Sequence, residues 1–133
     1  MRITSALLIG LLGACASPRA DTPATDVDLD VEPASVVAGE SVTLVLANGS
    51  SAPIGYNLCA SRLERRSGEG WEGVRSDRVC TLEIRSLAAG EEARFAVDLP
   101  SDLATGPYRF STSVERDAVG PSTISSDPFQ VGG

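Results

Sequence analysis

Val27-Asp28-Leu29-Asp30-Val31-Glu32, entered from Asp26 and closed by Pro33, alternates an aliphatic side chain with an acidic one at every step. Side chains on a β-strand point alternately to opposite faces, so the pattern predicts a strand with one apolar face and one charged face. Proline has no amide hydrogen to give to a ladder and stops the strand. The same period of two returns along the chain. Val42, Leu44 and Leu46 share a face within Ser41–Asn48, after the Ala38-Gly39-Glu40 turn, and Ile54, Tyr56 and Leu58 share one after the loop 48–53. Residues 62–66 and 71–75 flank Ser67-Gly68-Glu69-Gly70 and read as a hairpin. Cys80, Leu82 and Ile84 predict a further strand, Phe95, Val97 and Leu99 the next, and Tyr108, Phe110, Thr112 and Val114 a late one after Gly106-Pro107. Ile124, then Phe129 and Val131, close the series, with Asp127-Pro128 marking a bulge or an edge.

Outside the N-terminal leader, no stretch carries a helical period. Seven to nine short strands with turn signals at near-regular spacing predict an all-β domain over residues 26–133. The expected architecture is an immunoglobulin-like antiparallel β-sandwich. Leu103-Ala104-Thr105-Gly106-Pro107-Tyr108 resembles the tyrosine corner of Greek-key sandwiches, in which a tyrosine hydroxyl bonds to nearby backbone across a connection. That assigns Tyr108 a structural role. Asn48, the run Tyr56-Asn57-Leu58-Cys59, Leu63-Glu64-Arg65, Trp71, Cys80 and Gly106-Pro107-Tyr108-Arg109 together resemble the immunoglobulin-like domains of uncharacterised bacterial envelope lipoproteins. The cysteines depart from antibody domains, whose bridge ties an early strand to the strand of the tyrosine corner; here neither Cys59 nor Cys80 adjoins Tyr108 in sequence.

The leader supplies an address. Arg2 is a minimal positive start, and residues 3–13 form an apolar run too short to span a bilayer, which takes about 20 residues. Leu12-Gly13-Ala14-Cys15 resembles the bacterial lipobox, which implies a signal peptide over 1–14 and lipidation of Cys15. The alternative is an ordinary secretory signal cleaved after Ala16, from Ala14-Cys15-Ala16. Either reading exports the protein. With an anchor it belongs to the cell envelope, and since Ala16 is not the aspartate of inner-membrane retention, to the outer membrane if the source has one. Residues 15–25 then form the lipidated cysteine and a flexible tether, marked by Pro18 and Pro23. Lipidation of Cys15 leaves Cys59 and Cys80 in an oxidising compartment, which predicts a disulfide contributing about 3 kcal/mol.

Of the 133 residues, 11 are basic and 18 acidic, for a net charge of −7, and there is no His. Every basic residue is Arg. Without His there is no Ser-His-Asp or Cys-His catalysis, and without Lys no Ser-Lys dyad or Schiff base. Two remaining thiols do not make a zinc site, and no glycine-rich phosphate loop is present. No cofactor and no metal are expected, and the acidic balance disfavours nucleic acid. Asp26, Asp28 and Asp30 fall short of a helix-loop-helix calcium site, because Val31 stands where that loop needs glycine. They read instead as the charged face of an edge strand. Asn48-Gly49-Ser50 matches a glycosylation acceptor and reads as a turn in which Gly49 supplies backbone freedom.

Residues 62–85 hold six of the eleven arginines against five acids, inside an otherwise acidic chain. Arg62, Arg65, Arg66, Arg75 and Arg78 with Trp71 are therefore the candidate contact surface, since Arg and Trp are frequent anchors of interfaces. The competing reading is a solvated hairpin with Trp71 covering one end of the core. The predicted function is a lipid-anchored, non-catalytic binding or structural module whose partners are the membrane, through its anchor, and an envelope protein or polysaccharide. Two alternatives remain: a proteinase inhibitor presenting loop 48–55 or 117–122, and a hydrolase built on carboxylates alone.

Overall fold

The computed structural model describes residues 26–117 and 119–133. The predicted signal peptide, Cys15 and the tether lie outside the described residues. Eleven strand segments are present: β1 (Val27–Glu32), β2 (Ser35–Val37), β3 (Ser41–Asn48), β4 (Ile54–Tyr56), β5 (Arg62–Ser67), β6 (Gly70–Gly73), β7 (Arg85–Leu87), β8 (Glu92–Asp98), β9 (Gly106–Arg116), β10 (Gly120–Ser125) and β11 (Phe129–Gly132). The one helical element among the described residues is a 3₁₀ turn, Leu58–Ala60.

Two sheets result. The smaller runs β1-β3-β8, all antiparallel, with Leu29 opposite Leu46 and Leu44 opposite Phe95. The larger is organised by the eleven-residue β9. One flank of β9 pairs first with β11 and then with β10; the other pairs first with β5 and then with β4. Both partners are broken strands. Leu58–Ala60 separates β4 from β5, and Ser126-Asp127-Pro128 separates β10 from β11. At the second break the buried Ser126 stays bonded to the ladder, taking the Phe110 amide on its hydroxyl at 3.0 Å and giving its own amide to the Phe110 carbonyl at 2.8 Å. The count exceeds the expected seven to nine because these interruptions, and the division of the first strand into β1 and β2, split single lanes. One pairing is parallel: β2 lies along β11, with Val36 opposite Val131.

The alternation puts one side of each sheet into a shared core. Leu44, Leu46, Val42 and Val97 from the small sheet join Tyr108, Phe110, Val114, Phe129 and Val131 from the large one in a single buried cluster. The Phe110 and Phe129 rings stack with centroids 5.8 Å apart. Burying each such side chain contributes about 1.5–3 kcal/mol, which sets register, because a one-residue slip would turn every one of them to water. Across the connection into β9 the Tyr108 hydroxyl donates to the Ala104 carbonyl at 2.7 Å.

Three expectations need correction. The run Cys80, Leu82, Ile84 is not a strand: residues 74–84 pair with no ladder, Leu82 is 95% exposed, and the strand in that region is β7, whose inward residue is Leu87. The Cys59–Cys80 disulfide and Arg78, bonded to the Cys59 and Ser61 carbonyls, hold this segment against the 3₁₀ turn instead of in a sheet. Trp71 covers no end of the core; it lies on the outer face of the large sheet, opposite Arg66. Gly49 is needed for closeness, not for freedom: a Cβ there would meet the Asp26 carbonyl oxygen at 2.7 Å.

Candidate functional site

Register divides the arginine-rich hairpin into two faces. Arg62, Glu64 and Arg66 on β5 share parity with Trp71 and Gly73 on β6 and with Arg109 on β9, so these residues form the outer face of the large sheet. Arg65 has the parity of the core residue Leu63 and stands opposite Tyr108. It is exposed all the same, and joins Glu72 across the hairpin at 3.4 Å. The hairpin closes through Gly68-Glu69, with Gly68 at φ +59°, a left-handed backbone that favours glycine.

On the outer face the charges satisfy one another. Arg109 Nε donates to Glu64 Oε1 at 3.0 Å, and both side chains are largely covered. The Arg109 guanidinium lies 4.6 Å from the Trp71 ring centroid and that of Arg66 lies 5.5 Å away, both within cation–π range. Arg62 extends over Gly73, where a Cβ would come within 2.7 Å of its Nη2. Arg109, absent from the predicted surface, is therefore its organising residue. Only cross-strand register could have revealed it.

Arg75 and Arg78 belong to a different place. Arg75 is exposed on the rim of a cleft of about 560 Å³, with Asp77, Asp98 and Asp102 around it and Leu63, Val97 and Phe110 at its floor. Arg78 is a brace. Its Nε donates to the Cys59 carbonyl and its Nη2 to the Ser61 carbonyl, each at 2.8 Å, and burial pushes its pKa below the ordinary value.

That brace belongs to the most unusual feature of the surface. Residues 74–84 run for eleven positions without a turn or bend. The segment is tied at Cys80 by the disulfide, at Arg78 as above, and at Thr81, whose carbonyl accepts from Asn57 Nδ2 at 2.8 Å. Val79, at 94% exposure, and Leu82 project into solvent from the tied backbone. Ile84 is half-exposed and rests against Gly55, where a Cβ would fall 2.8 Å from Ile84 Cγ2. An alternating pattern marks extended backbone and does not say whether a partner strand exists. Asn57, adjoining Leu58 and Cys59 in sequence, carried no independent signal.

The loop 49–53 is organised differently. Asn48, 1% exposed, donates from Nδ2 to the Ala52 and Leu87 carbonyls at 2.9 and 3.0 Å and accepts from the Ser50 amide and hydroxyl on Oδ1. All the capacity of its amide is consumed in joining that loop to β7. Asp28 and Asp30 point outward from β1 and line a shallow groove with Asp127. Among the described residues no group of three or more His, Cys, Asp or Glu is arranged to hold a metal ion, and no helix is long and apolar enough to cross a membrane.

Two sheets, a mixed-topology edge and a core between them define an all-β sandwich. No protein-family model matches the chain, and no curated protein matches it. Among solved structures it is similar to the crystal structure of a Bordetella pertussis protein with the provisional name ApaA. That likeness covers 80% of this chain and 89% of the other, at 17% identity and a TM-score of 0.51. At that identity the likeness carries the fold alone.

Proposed function

We propose that the chain is a lipid-anchored, non-catalytic protein-binding module of the bacterial cell envelope, and that segment 74–84 makes the contact. The observation that carries the reading is the pairing of near-total exposure at Val79 and Leu82 with a backbone tied down by a disulfide and side-chain hydrogen bonds. An apolar side chain held out to water on an ordered backbone costs little entropy to bury against a partner. A polysaccharide presents hydroxyls that aliphatic side chains cannot satisfy, so the partner is a protein. The hairpin is the weaker surface, because Arg65 is engaged with Glu72, Arg66 with Trp71, and Glu64 with Arg109 of β9.

The anchor rests on the lipobox-like Leu12-Gly13-Ala14-Cys15. Several acyl chains, at about 0.8 kcal/mol per buried CH₂, hold a protein to a membrane with little exchange. Intact mass of the protein from its native membrane fraction tests it. A chain beginning at Cys15 with added acyl mass supports the anchor; an unlipidated chain beginning at Ser17 makes the domain freely secreted.

The contact surface is tested by using the domain from residue 26 onward as bait for envelope proteins. Leu82→Asp with Val79→Asp is expected to abolish capture, while Trp71→Ala with Arg66→Ala leaves it within about twofold. The reverse pattern would return the contact to the hairpin.

A further inference from the structure

We propose that segment 79–85 is a substrate-like ligand for an endoprotease, with the Leu82 side chain in an apolar primary pocket and the Leu82-Glu83 peptide bond at the position the enzyme attacks. The proposal rests on the reading of this segment as the contact surface, and names its partner.

A peptide recognised through its main chain must be extended and must stay out of its own sheets, so that backbone groups beside the docked side chain remain open to the partner and alternate side chains enter pockets. Segment 74–84 is extended, belongs to no ladder and is solvent-exposed over Thr81, Leu82, Glu83 and Ile84. Leu82 is its most exposed apolar residue, at 95%. A large aliphatic side chain standing clear of its own protein suits a deep apolar pocket, where each methylene is worth about 10- to 200-fold in recognition.

Exposure alone would make the segment a substrate. What distinguishes a ligand that resists turnover is restraint on both sides of the attacked bond. Cys80, two residues before Leu82, is covalently joined to Cys59, and the Thr81 carbonyl is held by Asn57. On the far side Ile84 packs on Gly55, and Arg85 enters the β4–β7 ladder opposite Tyr56. Leu82 and Glu83 are thus the whole span between restraints, and every restraint comes from the stretch 55–59. Hydrolysis adds water across the Leu82-Glu83 bond, giving a carboxylate on Leu82 and an amine on Glu83. Both new ends would stay fastened to the same short stretch, so they would remain in the cleft, poised for the reverse reaction that expels water and reforms the bond. Preorganisation also lowers the entropy lost on docking.

A membrane surface is the competing occupant of an exposed apolar tip. Around the tip Arg75, Arg78 and Arg85 stand against Asp77 and Glu83, but the chain as a whole carries a net charge of −7, which opposes approach to anionic headgroups.

The test measures inhibition of purified serine endoproteases with apolar primary pockets, of chymotrypsin and subtilisin type, and of a trypsin-type enzyme with a carboxylate in its pocket. The oxidised domain should inhibit an apolar-pocket enzyme stoichiometrically at micromolar concentration or below. Leu82→Ala should weaken it by at least about 100-fold. Leu82→Arg, at a position that touches no core residue, should transfer inhibition to the trypsin-type enzyme. Rapid cleavage of the oxidised domain at Leu82-Glu83 overturns the proposal, as does inhibition by neither the native domain nor Leu82→Arg. Binding to phosphatidylglycerol vesicles that Leu82→Asp abolishes would overturn it in favour of lipid. If the envelope capture depends on Leu82 but protease inhibition is absent, the partner assignment fails and the contact surface stands. If capture ignores Leu82, both fail.

Discussion

The hairpin 62–73 and the segment 74–84 are consecutive in sequence and opposite in character. The hairpin is rich in charge, yet most of that charge is taken up: Glu64 by Arg109 of β9, Arg65 by Glu72, and Arg66 by Trp71, which Arg109 also approaches. The segment that follows is poor in secondary structure, yet Arg78 and the Thr81 carbonyl hold its backbone in place, and Val79 and Leu82 are left in water. Composition identified the hairpin as the candidate surface because Arg and Trp stand out in an acidic chain. Geometry favours the segment, because a contact surface is made of groups whose interactions are still unmade.

Removing the staple should separate the two regions most sharply. Cys59→Ala with Cys80→Ala is expected to cost about 3 kcal/mol in chemical denaturation. It should also open residues 76–84 to limited proteolysis while leaving the hairpin resistant. Equal susceptibility of both regions would mean that the disulfide stabilises the domain globally and does not hold the segment in particular.

Arg78→Ala comes next, at about 2 kcal/mol, because it removes two charged hydrogen bonds to main-chain carbonyls at a partly buried site. Arg78→Lys should recover part of this, since an ammonium can reach one carbonyl but lacks the planar fork that spans both. Full recovery would show that charge matters there and the fork does not.

On the hairpin side, Arg109→Ala should cost about 1 kcal/mol by leaving the covered Glu64 unpaired and Trp71 without its nearest cation. Trp71 fluorescence should shift, and binding through residues 79–85 should not change. Arg65→Ala is expected to move Tm by less than about 3 °C, since its pairing with Glu72 is solvent-exposed. A large effect of either on partner binding would break the division between the two regions.

The sheets were legible because their signal is local. Alternation at 27–31, 42–46 and 108–114 fixes which residues face the core, and the same residues are buried in the fold, Val31 in part. The strand breaks were partly legible: Asp127-Pro128 marked one, but nothing in Leu58-Cys59-Ala60 distinguishes a 3₁₀ turn from continued strand. The segment 80–84 was misread because an extended loop and a strand share one side-chain period. What separates them is whether the backbone finds a ladder partner, and here the Thr81 carbonyl is met by the Asn57 side chain while the segment's own Arg78 reaches the Cys59 and Ser61 carbonyls. Arg109 was missed for a similar reason, since its role depends on standing opposite Glu64 in a ladder.

The most direct test is site-specific photocrosslinking in living cells, with a photoreactive amino acid placed singly at position 82 or at position 71 of the full chain. A protein adduct is expected from position 82 and none from position 71. Adducts from position 71 alone, or from neither position, would contradict the assignment of the contact to segment 74–84.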